Sequence, residues 1–80
     1  MYSGAANALG CADFQRAQAA IQVADTKAAI AIALIGIGVS ADDASNLERS
    51  SPDADVARTT ALRYVIPRTS AVCAVEQSKK

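Results

Sequence analysis

The sequence contains no histidine and no tryptophan, and its only aromatic residues are Tyr2, Phe14 and Tyr64. The commonest general base and metal ligand in proteins is therefore absent. Eight basic and eight acidic residues cancel, and the longest basic run is the terminal pair Lys79 and Lys80. The chain therefore has neither the basic patch nor the set of aromatic side chains with which proteins bind nucleic acids. We expect no enzymatic activity, no metal site, no cofactor and no nucleic-acid partner.

Cysteine is scarce too. Cys11 and Cys73 lie 62 positions apart, a spacing that matches neither a zinc site nor a redox motif. A disulfide between them is one interpretation. The sequence favours the other interpretation, in which two unpaired thiols lie in a reducing compartment.

Large apolar residues are few and unevenly placed. Leu, Ile, Val and Phe together number 17 against 19 Ala, and six of the large aliphatics fall within residues 28–41. A chain of 80 residues forms at most one small domain, and this composition leaves little material for a self-sufficient core.

Periodicity predicts a mainly α fold with no sheet of consequence. Residues 1–11 are expected to be a flexible N-terminus, followed by one long helix over about residues 12–41 with an apolar second half. Residues 42–51 are predicted to form an acidic linker. Ser51-Pro52-Asp53 predicts the start of a second helix over about residues 52–66, and residues 67–80 are predicted to be a tail after Pro67, which ends that helix. Apolar residues at alternating spacings of three and four form one amphipathic seam: Phe14, Ala17, Ile21, Ala24, Ala28, Ala31 and Ile35.

The apolar run after Lys27 has three interpretations. The 14 uncharged residues between Lys27 and Asp42 would span about 21 Å as a helix, against a hydrocarbon core of about 30 Å. Residues 28–41 are therefore a candidate membrane segment, with a free energy of membrane insertion close to zero. A secretion signal needs a short basic stretch before the run, and the chain has 27 residues there instead. A core helix is the third interpretation.

Residues 21–39, "IQVADTKAAIAIALIGIGV", resemble the start of the membrane-effector domain of Pycsar anti-phage systems. The family motif falls on five consecutive residues: Ala24, Asp25, Thr26, Lys27 and Ala28. Val65-Ile66-Pro67-Arg68 is similar to the end of the family's second membrane helix. The resemblance implies a protein of the inner membrane that oligomerises in the bilayer under a cyclic pyrimidine nucleotide signal. Two departures from the family pattern predict a truncated, diverged or frame-altered member: Asp53, Asp55, Arg58 and Arg63 interrupt the second apolar helix, and the domain is short.

Gly36 and Gly38 are the predicted helix-packing residues. They form a G-x-G without a third glycine, so close packing of helices is favoured over a nucleotide-binding loop. Gly36 shares a helix face with Ala29, Ile32 and Ala33, which predicts self-association there.

Two functions follow from the sequence. One is a non-enzymatic membrane effector that forms homo-oligomers in the lipid bilayer. The other is a small soluble helical protein, in the cytoplasm, that binds a partner through its amphipathic seam.

Overall fold

Four helices make up the part of the chain that the computed structural model describes, residues 9–78. They are α1 (Cys11–Val23), α2 (Lys27–Gly36), α3 (Ala41–Ser50) and α4 (Ala54–Ser78). These residues are 83% helical and contain no strand, which confirms the predicted mainly α class. The predicted flexible segment 1–11 lies mostly outside the described residues, and Cys11 already belongs to α1.

The predicted long helix over residues 12–41 is wrong, because the chain breaks and folds back after Val23. Ala24 and Thr26 both adopt extended backbone angles, and the Oγ1 of Thr26 accepts a hydrogen bond from the N–H of Ala29 at 3.1 Å. This side chain satisfies one of the free N–H groups at the start of α2. The break lets α2 turn and pack against α1 instead of extending it.

A second break ends α2 before the predicted boundary. The N–H of Gly38 donates to the carbonyl of Ile35 at 3.0 Å, and the N–H of Val39 donates to that of Leu34 at 3.1 Å. This pair of bonds is the Schellman motif, which needs a residue in the left-handed region. Gly38 fills that position with a φ of 96°. The candidate membrane segment 28–41 is therefore divided between α2, this turn and α3.

The predicted acidic linker, residues 42–51, is also wrong, since most of it forms α3. Ser40 caps this helix: its Oγ accepts a hydrogen bond from the N–H of Asp43 at 3.1 Å. Asp42 and Asp43 lie in the first turn, where negative charge opposes the positive end of the helix dipole. The predicted cap of the next helix moves by two residues, because Asp53, not Ser51, accepts from the N–H of Val56 at 3.0 Å.

The last helix does not end at Pro67, contrary to the predicted helix 52–66 and tail 67–80. Pro67 lies inside α4, although proline in a helix interior typically costs about 3 kcal/mol. Two side chains bond to carbonyls of the preceding turn: Arg68 Nη1 donates to Tyr64 at 2.9 Å, and Thr69 Oγ1 donates to Val65 at 3.1 Å. Both carbonyls lie next to that of Arg63, the acceptor that Pro67 leaves without a helical N–H donor.

A disulfide holds the second half of α4 against the start of α1. Cys11 and Cys73 are paired, so the favoured interpretation of two unpaired thiols is wrong. One turn further along α4, the Glu76 carboxylate accepts a hydrogen bond from the N–H of Cys11 at 2.7 Å. Val65 is the last fully buried residue of α4, and Val72 only borders the core. The covalent link therefore compensates for the scarcity of apolar contacts beyond Val65.

The core lies where α1, α2 and α4 meet. Its three largest fully buried side chains are Ile21, Ile30 and Val65. The remaining members are small or partly exposed at their edges: Phe14, Ala17, Ala24, Leu34, Ile37, Ala57 and Ala61. The seam residues of α1, Phe14, Ala17 and Ile21, are therefore buried in the core. After the break, of the three seam residues in α2, Ala31 is buried and Ala28 and Ile35 are exposed.

Candidate interaction surface

The five residues of the family motif form the connection between α1 and α2. Ala24 is buried and ends α1, Asp25 is exposed, and Thr26 caps α2. Lys27 and Ala28 are the first two residues of α2. In this fold the motif therefore has a clear local role, which is to stop one helix and start the next.

Two basic side chains bond to the carbonyl ends of helices. Arg58 Nη2 donates to the carbonyl of Ala24 at the end of α1, while Arg58 Nη1 pairs with Asp55 at 2.6 Å. Lys27 Nζ donates to the carbonyl of Ser51 at the end of α3, at 2.9 Å. Positive charge at a helix C-terminus is stabilising, because the last carbonyls carry partial negative charge. Arg58 is therefore a tertiary cap of α1.

α2 buries one side and exposes an equally apolar opposite side. Ile30, Ala31 and Leu34 point into the core. The opposite side, which we call the α2 outer face, consists of Ala28, Ala29, Ile32, Ile35 and Gly36, all exposed. A surface helix ordinarily carries polar side chains on the side that faces water. Here the α2 outer face contains none.

Two isoleucines dominate the α2 outer face. Ile32 is 69% exposed and Ile35 is 46% exposed. Fully burying one such side chain contributes about 1.5–3 kcal/mol. The exposed surface of the two side chains together corresponds to slightly more than one fully exposed isoleucine. Covering both would therefore contribute about 2–3 kcal/mol to the free energy of binding.

Gly36 borders a depression between α1 and α2. The depression has a volume of about 250 Å³ and is lined by Asp13, Arg16, Ala17, Ala20, Ala33, Gly36 and Ile37. A Cβ built on Gly36 would have no atom within 4 Å apart from its chain neighbours and the nearby backbone of its own helix, so the space above this residue is open. Gly38 lies outside the helix and has a different role, the left-handed turn that ends α2. The two predicted packing glycines are therefore not on one helix face.

A larger groove of about 490 Å³ lies where α2, α3 and α4 meet. Its lining residues are Leu34, Gly38, Val39, Ser40, Asp43, Leu47, Thr60, Ala61 and Tyr64. Ligand sites combine an apolar wall with a few precisely placed polar groups. The polar members here, Ser40, Asp43, Thr60 and Tyr64, are all exposed, so no buried polar group orients a ligand.

No protein-family model, curated protein or solved structure matches this chain. Within residues 9–78, no three His, Cys, Asp or Glu side chains come close enough to hold a metal ion. In the same residues, no helix combines the length and the apolar character that crossing a membrane requires. The α2 outer face and the adjoining depression are accordingly the candidate site.

Gly36 is the one residue of the depression that the sequence singled out as a helix-packing residue; the other lining residues were not predicted. Arg16, which lines the depression, is separated from Gly36 by a chain reversal that the continuous-helix prediction excluded. One signal for that reversal was present. Asp25-Thr26 is a polar pair between two apolar stretches, and Asp and Thr are typical residues before a helix start.

Proposed function

We propose that this protein is a non-enzymatic binding protein whose α2 outer face docks an apolar helix of a protein partner. The single observation that carries the proposal is a solvent-facing helix side built from Ala28, Ala29, Ile32, Ile35 and Gly36 without one polar side chain. The originally predicted binding surface, the amphipathic seam, is largely buried in the core. The proposed binding surface is therefore the exposed side of α2, which keeps only Ala28 and Ile35 of that seam.

The exposed apolar side chains of the α2 outer face form one contiguous patch. Single exposed hydrophobic side chains are common and need no explanation, whereas a contiguous apolar patch signals an interaction site. Ile32 and Ile35 lie on one face of α2, since residues three apart are neighbours on a helix surface. Ala29 and Gly36 flank Ile32 at spacings of three and four, which gives a facing helix close access to the backbone.

The disulfide supports action in an oxidising compartment. Cytosolic reductants keep most protein thiols reduced, whereas disulfides persist in secreted and periplasmic proteins. The Cys11–Cys73 pair thus favours a location outside the cytosol or at its boundary.

A photocrosslinking amino acid at position 32, in the cells that produce the protein, tests the proposal. Its matched control is position 56 on α4, where Val56 is 42% exposed and lies outside the α2 outer face. We expect crosslinked protein products from position 32 and none from position 56, because only the first position faces a docked helix. Ile32→Lys should abolish products from a neighbouring probe at position 35, while Val56→Lys should leave them unchanged. Equal products from both positions, or none from either, would contradict the proposal.

The second candidate function is the membrane effector that the resemblance implies. Its specific support is the resemblance of residues 21–39 together with the apolar character of both sides of α2. In this function the α2 outer face associates with the lipid bilayer, and homo-oligomers form there under a cyclic pyrimidine nucleotide signal. Crosslinks from position 32 to lipid, and recovery in a carbonate-resistant membrane fraction, are the expected results. Recovery in the supernatant with protein crosslinks contradicts this second function and agrees with the first.

A further inference from the structure

We infer that the Cys11–Cys73 disulfide is a reversible redox switch, whose reduction by thiols releases the second half of α4, residues 66–78, from α1. This inference does not use the α2 outer face and is therefore independent of the proposed function. It assigns the disulfide a regulatory role in addition to its contribution to stability.

Few contacts other than the disulfide hold the second half of α4 against α1. None of residues 66–78 is buried, and ten of them are exposed. Within residues 9–78, a single hydrogen bond joins this half to α1, from the Cys11 N–H to the Glu76 carboxylate. The first half of α4 is held more firmly, since it carries three buried side chains: Ala57, Ala61 and Val65.

Pro67 lies at the boundary between the two halves of α4. Because proline has no N–H, the carbonyl of Arg63 lacks its helical donor and the helix is weakened there. Sharp bends in helices occur most often at proline. Once the disulfide is broken, α4 can therefore bend at Pro67 while its first half stays packed in the core.

Weak docking of the second half of α4 makes the disulfide easier to reduce. Re-formation of a disulfide depends on the effective concentration at which the reduced chain holds its two thiols near each other. A rigid core keeps this concentration high after reduction, whereas a released helix lowers it. The Cys11–Cys73 link therefore belongs with labile disulfides and not with structural ones, which resist reduction by glutathione.

Both sulfurs are open to an attacking thiol. Cys11 and Cys73 are each partly exposed, and small exposed residues surround them: Ala12, Ser70 and Ala74. One thiolate attacks either sulfur, forms a mixed disulfide and releases the other cysteine, which takes up a proton. A second thiol attacks the mixed disulfide, frees the remaining cysteine and leaves as a disulfide with the first. Two electrons and two protons thus pass from two thiols to the two cysteines.

Release of this half uncovers an aromatic side chain of α1. Phe14 lies one turn after Cys11 and belongs to the core cluster against which Val72 packs. The helices run antiparallel, because Cys11 joins Cys73 while the Ala24 carbonyl meets Arg58. Phe14 is therefore level with the second half of α4, and reduction exposes it to solvent.

Equilibration with mixtures of reduced and oxidised glutathione, followed by counting of free thiols, tests the inference. We expect at least half of the molecules to be reduced in about 10 mM reduced and about 0.1 mM oxidised glutathione. A structural disulfide would stay almost fully oxidised in that mixture. Return to an oxidising mixture should restore the link, because the folded core keeps the two cysteines tethered.

The ring signals of Phe14 in a nuclear magnetic resonance spectrum report the opening. Phe14 is the one phenylalanine of the chain, so these signals describe this position alone. They should move toward the values of an exposed ring as the disulfide is reduced. The double substitution Cys11→Ser with Cys73→Ser should produce the same shift without any reductant.

Three variants that keep both cysteines separate a switch from a disulfide that is merely exposed. Pro67→Ala restores the missing helix hydrogen bond and should raise the glutathione ratio needed for half-reduction about tenfold, because Cys73 is then held near Cys11. Glu76→Ala removes the hydrogen bond to α1 and should lower that ratio about threefold. Gln77→Ala, at the exposed neighbouring position, is the control and should leave the ratio unchanged.

A disulfide that stays oxidised in every glutathione mixture overturns the inference. A reduced protein with unchanged Phe14 signals overturns it as well, as do equal ratios at half-reduction in all the variants. None of these outcomes affects the crosslinking expected from position 32, so the proposed function is tested separately.

Discussion

Removing the Cys11–Cys73 disulfide measures how much of this small fold depends on one covalent link. The perturbation is the double substitution Cys11→Ser with Cys73→Ser, or reduction of the unaltered chain. The link closes a loop with a sequence separation of 62. In the loop-entropy description, a loop of about 60 residues restricts the unfolded chain enough to stabilise the fold by about 4 kcal/mol. A chain of this length has a total free energy of unfolding of about 4–12 kcal/mol, so the loss is a large fraction.

The loss should appear first in the second half of α4. Beyond Val65 the helix has few buried side chains, and Pro67 interrupts its hydrogen bonding. Without the link, the bond from the Cys11 N–H to the Glu76 carboxylate is left to hold that half against α1. We expect hydrogen exchange of residues 66–78 to accelerate strongly, while residues 54–65 keep most of their protection.

Urea unfolding of the oxidised protein, the reduced protein and the double variant provides the free energies. With a slope of about 1 kcal/mol per molar urea for a chain this small, the midpoint should fall by about 4 M on either perturbation. Added reductant should have no further effect on the double variant, which controls for non-specific effects of the reagent. A reduced protein within about 1 kcal/mol of the oxidised one would refute the reasoning, because the loop-entropy term would then be absent.

Two further predictions use matched variants on the same urea assay. Arg58→Met removes the hydrogen bond to the Ala24 carbonyl and should cost about 1.5–3 kcal/mol, the range for bonds to charged groups. Arg63→Met, at an exposed position of the same helix, should stay within about 0.5 kcal/mol, and equal losses would contradict a capping role for Arg58. Gly38→Ala forces a side chain onto a φ of 96° and should cost at least about 1 kcal/mol. Gly36→Ala, with open space around its Cβ, should instead stabilise the helix by up to about 1 kcal/mol, and the opposite order would contradict the Schellman assignment.

The helical class was predictable because apolar spacing and the absence of strand signals are local properties of the chain. The cap at Ser40 is also a local signal, because its hydrogen bond joins residues only three positions apart, yet residues 42–51 were predicted to be a linker. The two breaks around α2 were missed for a different reason. Thr26 and Gly38 are local signals for a helix start and a helix end, but each is also tolerated in a helix interior, so the sequence did not decide for a break without the packing of α2 onto α1. Propensity is a weak prior that tertiary contacts override.

The candidate site was harder to predict than the helices. Gly36 was identified correctly as part of an apolar helix face, but the sequence cannot say which side of an all-apolar helix is buried. Ile30 and Ile32 are chemically identical, and they have opposite fates only because α2 leaves the preceding turn in one particular direction. The Cys11–Cys73 pair was missed in the same way. A separation of 62 residues contains no local signal, and proximity appears only once α4 runs through Pro67.

Charge at the two ends of α2 decides between the candidate occupants more sharply than hydropathy does. Apolar side chains such as Ile32 gain from leaving water whether a bilayer or a protein covers them. An anionic lipid surface, however, attracts basic residues and repels acidic ones. Asp25 is exposed before α2, and Asp42 and Asp43 are exposed after it. The one cation of α2, Lys27, already donates to the Ser51 carbonyl, so binding headgroups would require that bond to break. A protein surface with basic residues at its edges therefore fits the acidic ends of α2 better than an anionic bilayer does.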